Sequence, residues 1–178
     1  MAPRIVTRRL RRVANALVCS SHPLPASMWP NEPQNKESHV NAAHFECDKL
    51  IRFHHCDPAG IVFYPQYLVL FNELVEDWFN EGLGIDFARF HMESGMGVPM
   101  GSIECRFLSP SKVGEILRLS LSIKRIGRSS LVLHVRGQSA GEMRVEATLT
   151  LILASLKTWR SVAFSGELRE KLEKYLES

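Results

Sequence analysis

The apolar residues of this chain change period once, from helical to alternating, and that switch constrains the fold more than any other feature. Pro65 suits a first helical turn, where its missing N–H is not needed. Leu68, Phe71, Leu74, Val75, Trp78 and Phe79 follow at helical spacing. Val69 and Leu70 widen the stripe so far that the helix is expected to be nearly enclosed, with only Asn72, Glu73, Glu76, Asp77 and Asn80 to break it. Gly82 or Gly84 ends it. After Gly97 the period becomes two. Ile103, Cys105 and Phe107, then Leu117 to Ile123, Leu131 to Val135 and Val145 to Leu153 alternate with polar partners, as half-buried antiparallel strands do. The joins, around Gly127 and around Gly137 to Gly141, are of hairpin length. An imperfect first strand from Phe45 to Phe53, a short helix from Asp86 to Glu93 and a last helix from Glu167 to Leu176 complete the pattern. A single antiparallel sheet wrapped around one apolar helix, an α+β domain over residues 45–178, satisfies this order economically.

Charge and cysteine usage narrow the class further. Residues 1–30 carry five arginines and no acid, while the remaining chain holds 17 bases against 19 acids. The basic balance therefore belongs to a tail, and the folded part has no global bias toward nucleic acid. Residues 1–44 show no strand or helix period and are rich in Pro, Ser and Asn, so a disordered or loosely attached extension is expected there. That extension reads as cytoplasmic, with an organellar transit peptide as the alternative because it is Arg-rich and acid-poor. No stretch approaches the roughly 20 apolar residues of a membrane span. The four cysteines are scattered without a CxxC pair, which points to free thiols in a reducing compartment.

One segment carries chemistry: His54-His55-Cys56-Asp57-Pro58-Ala59-Gly60-Ile61-Val62-Phe63-Tyr64-Pro65-Gln66-Tyr67. Pro58 pushes Asp57 into an extended conformation, and Gly60 permits positive φ or close approach of a ligand to the backbone. The segment then delivers N–H groups to a helix start, where the dipole favours negative charge. Pro65 offers none, so Tyr64 is the best-placed lone donor before the helix proper. A carboxylate near preorganised backbone donors suits acyl transfer, the donors holding a developing oxyanion while the acid attacks or activates water. Taken alone, Asp57 before Pro58 is equally a turn aspartate. The His54 to Asp57 run looks like a metal cluster, but neighbours on an extended chain point to opposite faces and no second ligand group is visible. Cys56 reads as a semi-buried thiol rather than a nucleophile. Gly95 to Gly101 lacks the strand and helix that a dinucleotide loop requires.

Asp57 through Tyr67, read DPAGIVFYPQY, resembles the signature of the 4-hydroxybenzoyl-CoA thioesterase family of hotdog-fold proteins, and the likeness extends over about Ile51 to Leu156. The resemblance implies a hotdog subunit, dimeric or tetrameric, that hydrolyses an acyl-CoA without metal or redox cofactor. Asp57 matches the catalytic aspartate, as nucleophile or general base, and Tyr64 the residue whose backbone N–H polarises the thioester carbonyl. Gly60 lies inside the motif as a substrate-contacting position. Arg125 and Arg128 fall in the basic strand-end segment that meets the CoA phosphates. At Asn72 the family's aromatic-acyl member has an acid, so the acyl group stays open. Glu73, on the polar stripe of the central helix, is the rival carboxylate. An acyl-carrier-protein thioesterase and a non-catalytic binding or assembly module of the same fold are the alternatives, although an intact Asp57-Pro58-x-Gly60 argues against the latter.

Overall fold

Residues 44–177 are described by a computed structural model. The expected loose attachment of residues 1–44 lies, His44 apart, outside them. Helix α1 runs from Tyr64 to Asp77, with Pro65 in its first turn, and buries Leu70, Phe71, Leu74 and Val75. It continues into a π turn over Trp78–Gly82, in which the Leu83 N–H reaches the Trp78 carbonyl at 2.8 Å. Enclosure is incomplete, contrary to expectation. Leu68 and Val69 are 45% and 47% exposed, because the sheet covers only one side of the helix and no described residue packs on the flank that carries them.

The main sheet has five strands in the order β1-β4-β5-β6-β3, all antiparallel: β1 Phe45–Leu50, β3 Met100–Phe107, β4 Ile116–Ile126, β5 Ser130–Ser139 and β6 Glu142–Ile152. The alternation expected from sequence sets its two faces. Leu117, Leu119, Leu121, Ile123, Leu133, Val135, Val145, Ala147 and Leu149 form one cluster with the buried face of α1. Each such fully buried side chain contributes roughly 1.5–3 kcal/mol. Phe53 does not continue β1. The Arg52 N–H bonds His55 Nδ1 at 3.1 Å and turns the chain into a short 3-10 segment, Phe53–His55. Gly137 belongs to β5 rather than to a turn, since a Cβ there would approach Val145 Cγ1 to 2.7 Å. The join itself is two residues, Ala140 and Gly141, both at positive φ as a tight hairpin demands.

Three short strands escape the period-two signal: β2 Met96–Gly97, β7 Ala154–Ser155 and β8 Arg160–Ser161 form a second small sheet. Two residues each are too few to alternate. Helix α2, Phe87–Met92, is capped by Asp86, whose carboxylate accepts the Arg89 N–H at 2.9 Å. Helix α3, Gly166–Glu173, ends short of Tyr175, whose ring lies against Trp78 and whose hydroxyl donates to the Gly82 carbonyl at 2.9 Å. No described helix is long and apolar enough to cross a membrane.

Beyond Tyr175 the chain pairs with Ile123 of β4 and places Glu177 on the outer face of the sheet. There Glu177 Oε1 accepts the Ser122 hydroxyl at 2.6 Å and lies 3.1 Å from Nδ1 of buried His134, whose Nε2 pairs with Glu146 at 2.9 Å. The Ser122 hydroxyl, then His134, hold the Glu177 carboxyl below the ordinary glutamate range. A depressed acid stabilises the fold above that range and loses its contribution as pH falls through it. Glu177→Gln should therefore lower Tm at pH 7, and the difference from wild type should shrink as pH falls below the ordinary glutamate range, read by thermal unfolding across pH.

Candidate active site

Asp57-Pro58-Ala59-Gly60 has Asp at the first position of a turn, Pro at the second and Gly at the fourth, the preference of a type I turn. The structure closes it: the Gly60 N–H donates to the Asp57 carbonyl at 2.9 Å. Asp57 Oδ1 accepts the Ala59 N–H at 2.8 Å, which fixes the orientation of the carboxylate. Gly60 sits at φ +76°, a region costly for other residues, with open space where a Cβ would be. On either side of the turn the Asp57 N–H bonds the Ile61 carbonyl, Cys56 bridges Val62, and the Phe63 N–H bonds the His55 carbonyl. The motif is thus a miniature hairpin whose second arm runs straight into α1.

That arm meets the helix at Tyr64, the first residue of α1. Pro65 has no N–H, and the Gln66 N–H is taken by the Phe63 carbonyl at 2.8 Å. Among the described residues the Tyr64 N–H has no acceptor, so the helix start presents one free donor along its dipole. Beside it lies a cleft of about 340 Å³ lined by Ile61, Val62, Tyr64, Tyr67, Phe107 and the 108–110 loop. Its aromatic wall is continuous, the Tyr67 and Phe107 rings being 5.4 Å apart and the Tyr64 and Phe107 rings 6.4 Å. Asp57 is outside this lining.

The remaining candidates separate. Asn72 is exposed on α1, about 12 Å along the axis from Tyr64. Glu73 is engaged elsewhere: Lys49 of β1 donates to Glu73 Oε2 at 3.1 Å and to Asp77 Oδ2 at 2.8 Å, tying helix to sheet. Burial alone would depress the Lys49 ammonium, but the bonds to Asp77 and Glu73 outweigh it and raise its pKa. Burial and the neighbouring Asp57 push the Cys56 thiol up, away from the thiolate a nucleophile needs. Arg125 and Arg128 sit at the far end of β4, eleven residues and about 35 Å from the motif. A single chain does not bring them to Asp57.

Residues 51–172 match the family described as Thioesterase-like superfamily. The chain belongs to that superfamily. It is 30% identical over 102 residues to a 1,4-dihydroxy-2-naphthoyl-CoA hydrolase of Thermosynechococcus vestitus, covering 57% of this chain and 69% of the relative. It is 23% identical over 125 residues to the long-chain acyl-CoA thioesterase FadM of Escherichia coli, covering 69% and 92%. The crystal structure of a thioesterase superfamily protein from Jannaschia sp. CCS1 superposes with a TM-score of 0.71 at 20% identity, covering 81% of this chain and 99% of that one. The architecture is the hotdog fold of these thioesterases.

In this member of the superfamily the motif is held by a second strip of chain that sequence reasoning missed. The Val62 N–H bonds the Ser111 carbonyl at 2.9 Å, the Gly114 N–H the Ile51 carbonyl at 2.8 Å, and Ile61 bridges Lys112. Arg144, buried on β6, donates to Ser109 at 3.0 Å, Glu142 at 2.7 Å and Glu115 at 3.3 Å, pinning that strip. Beneath it the Tyr67 hydroxyl donates to Ser111 Oγ at 2.9 Å, both groups being buried. Nothing in a one-dimensional pattern links Tyr67 to a serine 44 residues away. Ser111→Ala leaves the Tyr67 hydroxyl buried without a partner and should cost about 1–3 kcal/mol in denaturant unfolding. Adding Tyr67→Phe should recover part of that loss.

Proposed function

We propose that the chain hydrolyses an acyl-CoA thioester to the free acid and CoA. The observation that carries this reading is the unused Tyr64 N–H at the start of α1, delivered by the same hairpin that orients Asp57. The substrates in the names of both curated relatives support the CoA thioester. In this reading the thioester carbonyl oxygen lies against the Tyr64 N–H, where charge developing on it is stabilised by a donor that needs no rearrangement. Asp57 attacks the carbonyl carbon, giving an acyl anhydride that water then opens to the free acid and the aspartate, or it takes the proton of a water that attacks directly. The new C–O bond forms, the C–S bond breaks, and the CoA sulfur leaves to take up a proton.

The working unit in this reading is a dimer. Among the described residues strand β3 pairs only with β6, which leaves its other edge open. Ile103 and Phe107 on that strand, with Leu68, Val69 and Tyr64 on α1, make an exposed apolar flank that a monomer has no reason to keep. A second copy pairing antiparallel across β3 sets the Met100 end of one strand beside the Phe107 end of the other. Met100 pairs with Leu151, one residue from the Ile152–Ser130 pair that flanks the Arg128 turn, whereas the Phe107 ring packs near Tyr64. Such a dimer carries the Arg125 and Arg128 of each copy toward the Asp57 of the other, closing the gap that one chain leaves open.

A thiol-release screen across a panel of acyl-CoAs tests the reaction, and light scattering at twice the chain mass or more tests the dimer. Asp57→Asn keeps the shape of the turn but not the charge. Turnover should fall by a factor on the order of 10² to 10⁴ with little change in KM. Glu73→Gln should keep most of its turnover. The reverse pattern would move the reacting carboxylate to the central helix.

A further inference from the structure

The end of the fold opposite the motif carries an aromatic residue that packing does not explain. Trp159 stands at the tip of the β7–β8 hairpin, 80% exposed, with φ +56°, a conformation bulky residues rarely adopt. The turn is firmly held: the Trp159 N–H bonds the Ser155 carbonyl at 2.8 Å, and the Thr158 N–H bonds Ser155 Oγ at 3.3 Å. A strained backbone thus presents a large aromatic face to solvent, and none of it serves the core. Backbone bonds stitch this hairpin to the β4–β5 turn, from the Leu153 N–H to the Ser129 carbonyl at 2.9 Å and from the Phe164 N–H to the Arg128 carbonyl at 2.7 Å. Across segments 125–130 and 156–161 lie Arg125, Arg128, Lys157 and Arg160 and no acid, although acids outnumber bases over residues 31–178. All four cations are exposed, and none takes part in an ion pair among the described residues.

An exposed indole face beside several unneutralised cations fits a purine ring that carries phosphates, since the ring stacks and the phosphates accept charge-assisted bonds. We propose that Trp159 is the stacking platform for the adenine of CoA, with Arg128, Lys157 and Arg160 meeting its phosphate groups. This rests on the acyl-CoA reading above and adds to it a second, non-reacting subsite at the end of the sheet remote from Asp57. Contacts there that hold equally in ground and transition states lower KM without changing kcat.

The full chain is titrated with 3′-phosphoadenosine 5′-diphosphate while tryptophan fluorescence is followed, and KM and kcat are measured for an acyl-CoA and for the matching acyl-pantetheine. Wild-type fluorescence should be quenched, and Trp159→Phe should abolish the quench. Trp159→Ala should raise KM for acyl-CoA roughly 5- to 100-fold, the span of one stacked base, leaving kcat and the acyl-pantetheine constants within about twofold. Trp159→Phe should restore most of the KM, and Arg160→Ala should weaken nucleotide binding less at high salt. An unquenched wild type, or an unchanged KM in Trp159→Ala, overturns the proposal while leaving the hydrolase reading intact. Absence of turnover on every acyl-CoA overturns the hydrolase reading, and the fluorescence titration still decides this one. If only an acyl-carrier-protein substrate is slowed by Trp159→Ala, the surface docks a protein and the nucleotide reading falls.

Discussion

The burial of one face of α1 in the concave side of the five-stranded sheet is the constraint on which the rest of the molecule depends. Leu70, Phe71, Leu74, Val75 and Trp78 of the helix share a single cluster with the inward residues of β4, β5 and β6. That packing leaves the helix little freedom to slide or turn, because close-packed interiors do not deform continuously. Lys49 adds a polar tie, bridging β1 to Glu73 and Asp77 on the side where the helix emerges. With the helix so placed, its first turn has one location, and the Tyr64 N–H, the aromatic cleft and the hairpin that bears Asp57 follow from it.

Local chemistry at that helix start is over-determined. The hairpin is closed by its own turn, by bonds to residues 111–115 and by Arg144 behind them. Several independent supports of this kind are what a donor and an acid need if they are to stay in register without rearranging. The opposite end of the sheet is built differently, from short strands, an exposed tryptophan and exposed cations. One end is thus aromatic and the other basic. A two-fold partner across β3 would place the first against the second, which makes the bare edge of β3 and the exposed flank of α1 parts of one arrangement.

Most of the fold was legible in the sequence, and the reason is periodicity. Strands β4 to β6 repeat every two residues and α1 every 3.6, so each declared its type and its inner face before any contact was known, whereas β3 alternates in sequence yet leaves Ile103 and Phe107 exposed. The backbone geometry of the candidate site was legible for a separate reason. In DPAG, Asp, Pro and Gly each answer a backbone requirement of one turn, and Pro65 marks the helix that follows, so acid and donor are linked within eight residues.

What stayed illegible depends on chain segments distant in sequence. The Tyr67–Ser111 bond, the Arg144 support and the Glu177 pairing with Ser122 and His134 join residues 29 to 55 positions apart, with no local rule to announce them. The three short strands and the strained Trp159 are set by what they pair with rather than by propensity. The width of the apolar stripe on α1 predicts near enclosure, and the described residues leave Leu68 and Val69 exposed instead. The sequence by itself determined the long strands, α1 and the turn that carries Asp57, because those follow from neighbours along the chain. Only the tertiary structure decided that the flank of α1 stays open and that Arg128 lies a full strand away from Asp57, because a sheet has two ends and two edges, and its wrapping alone assigns them.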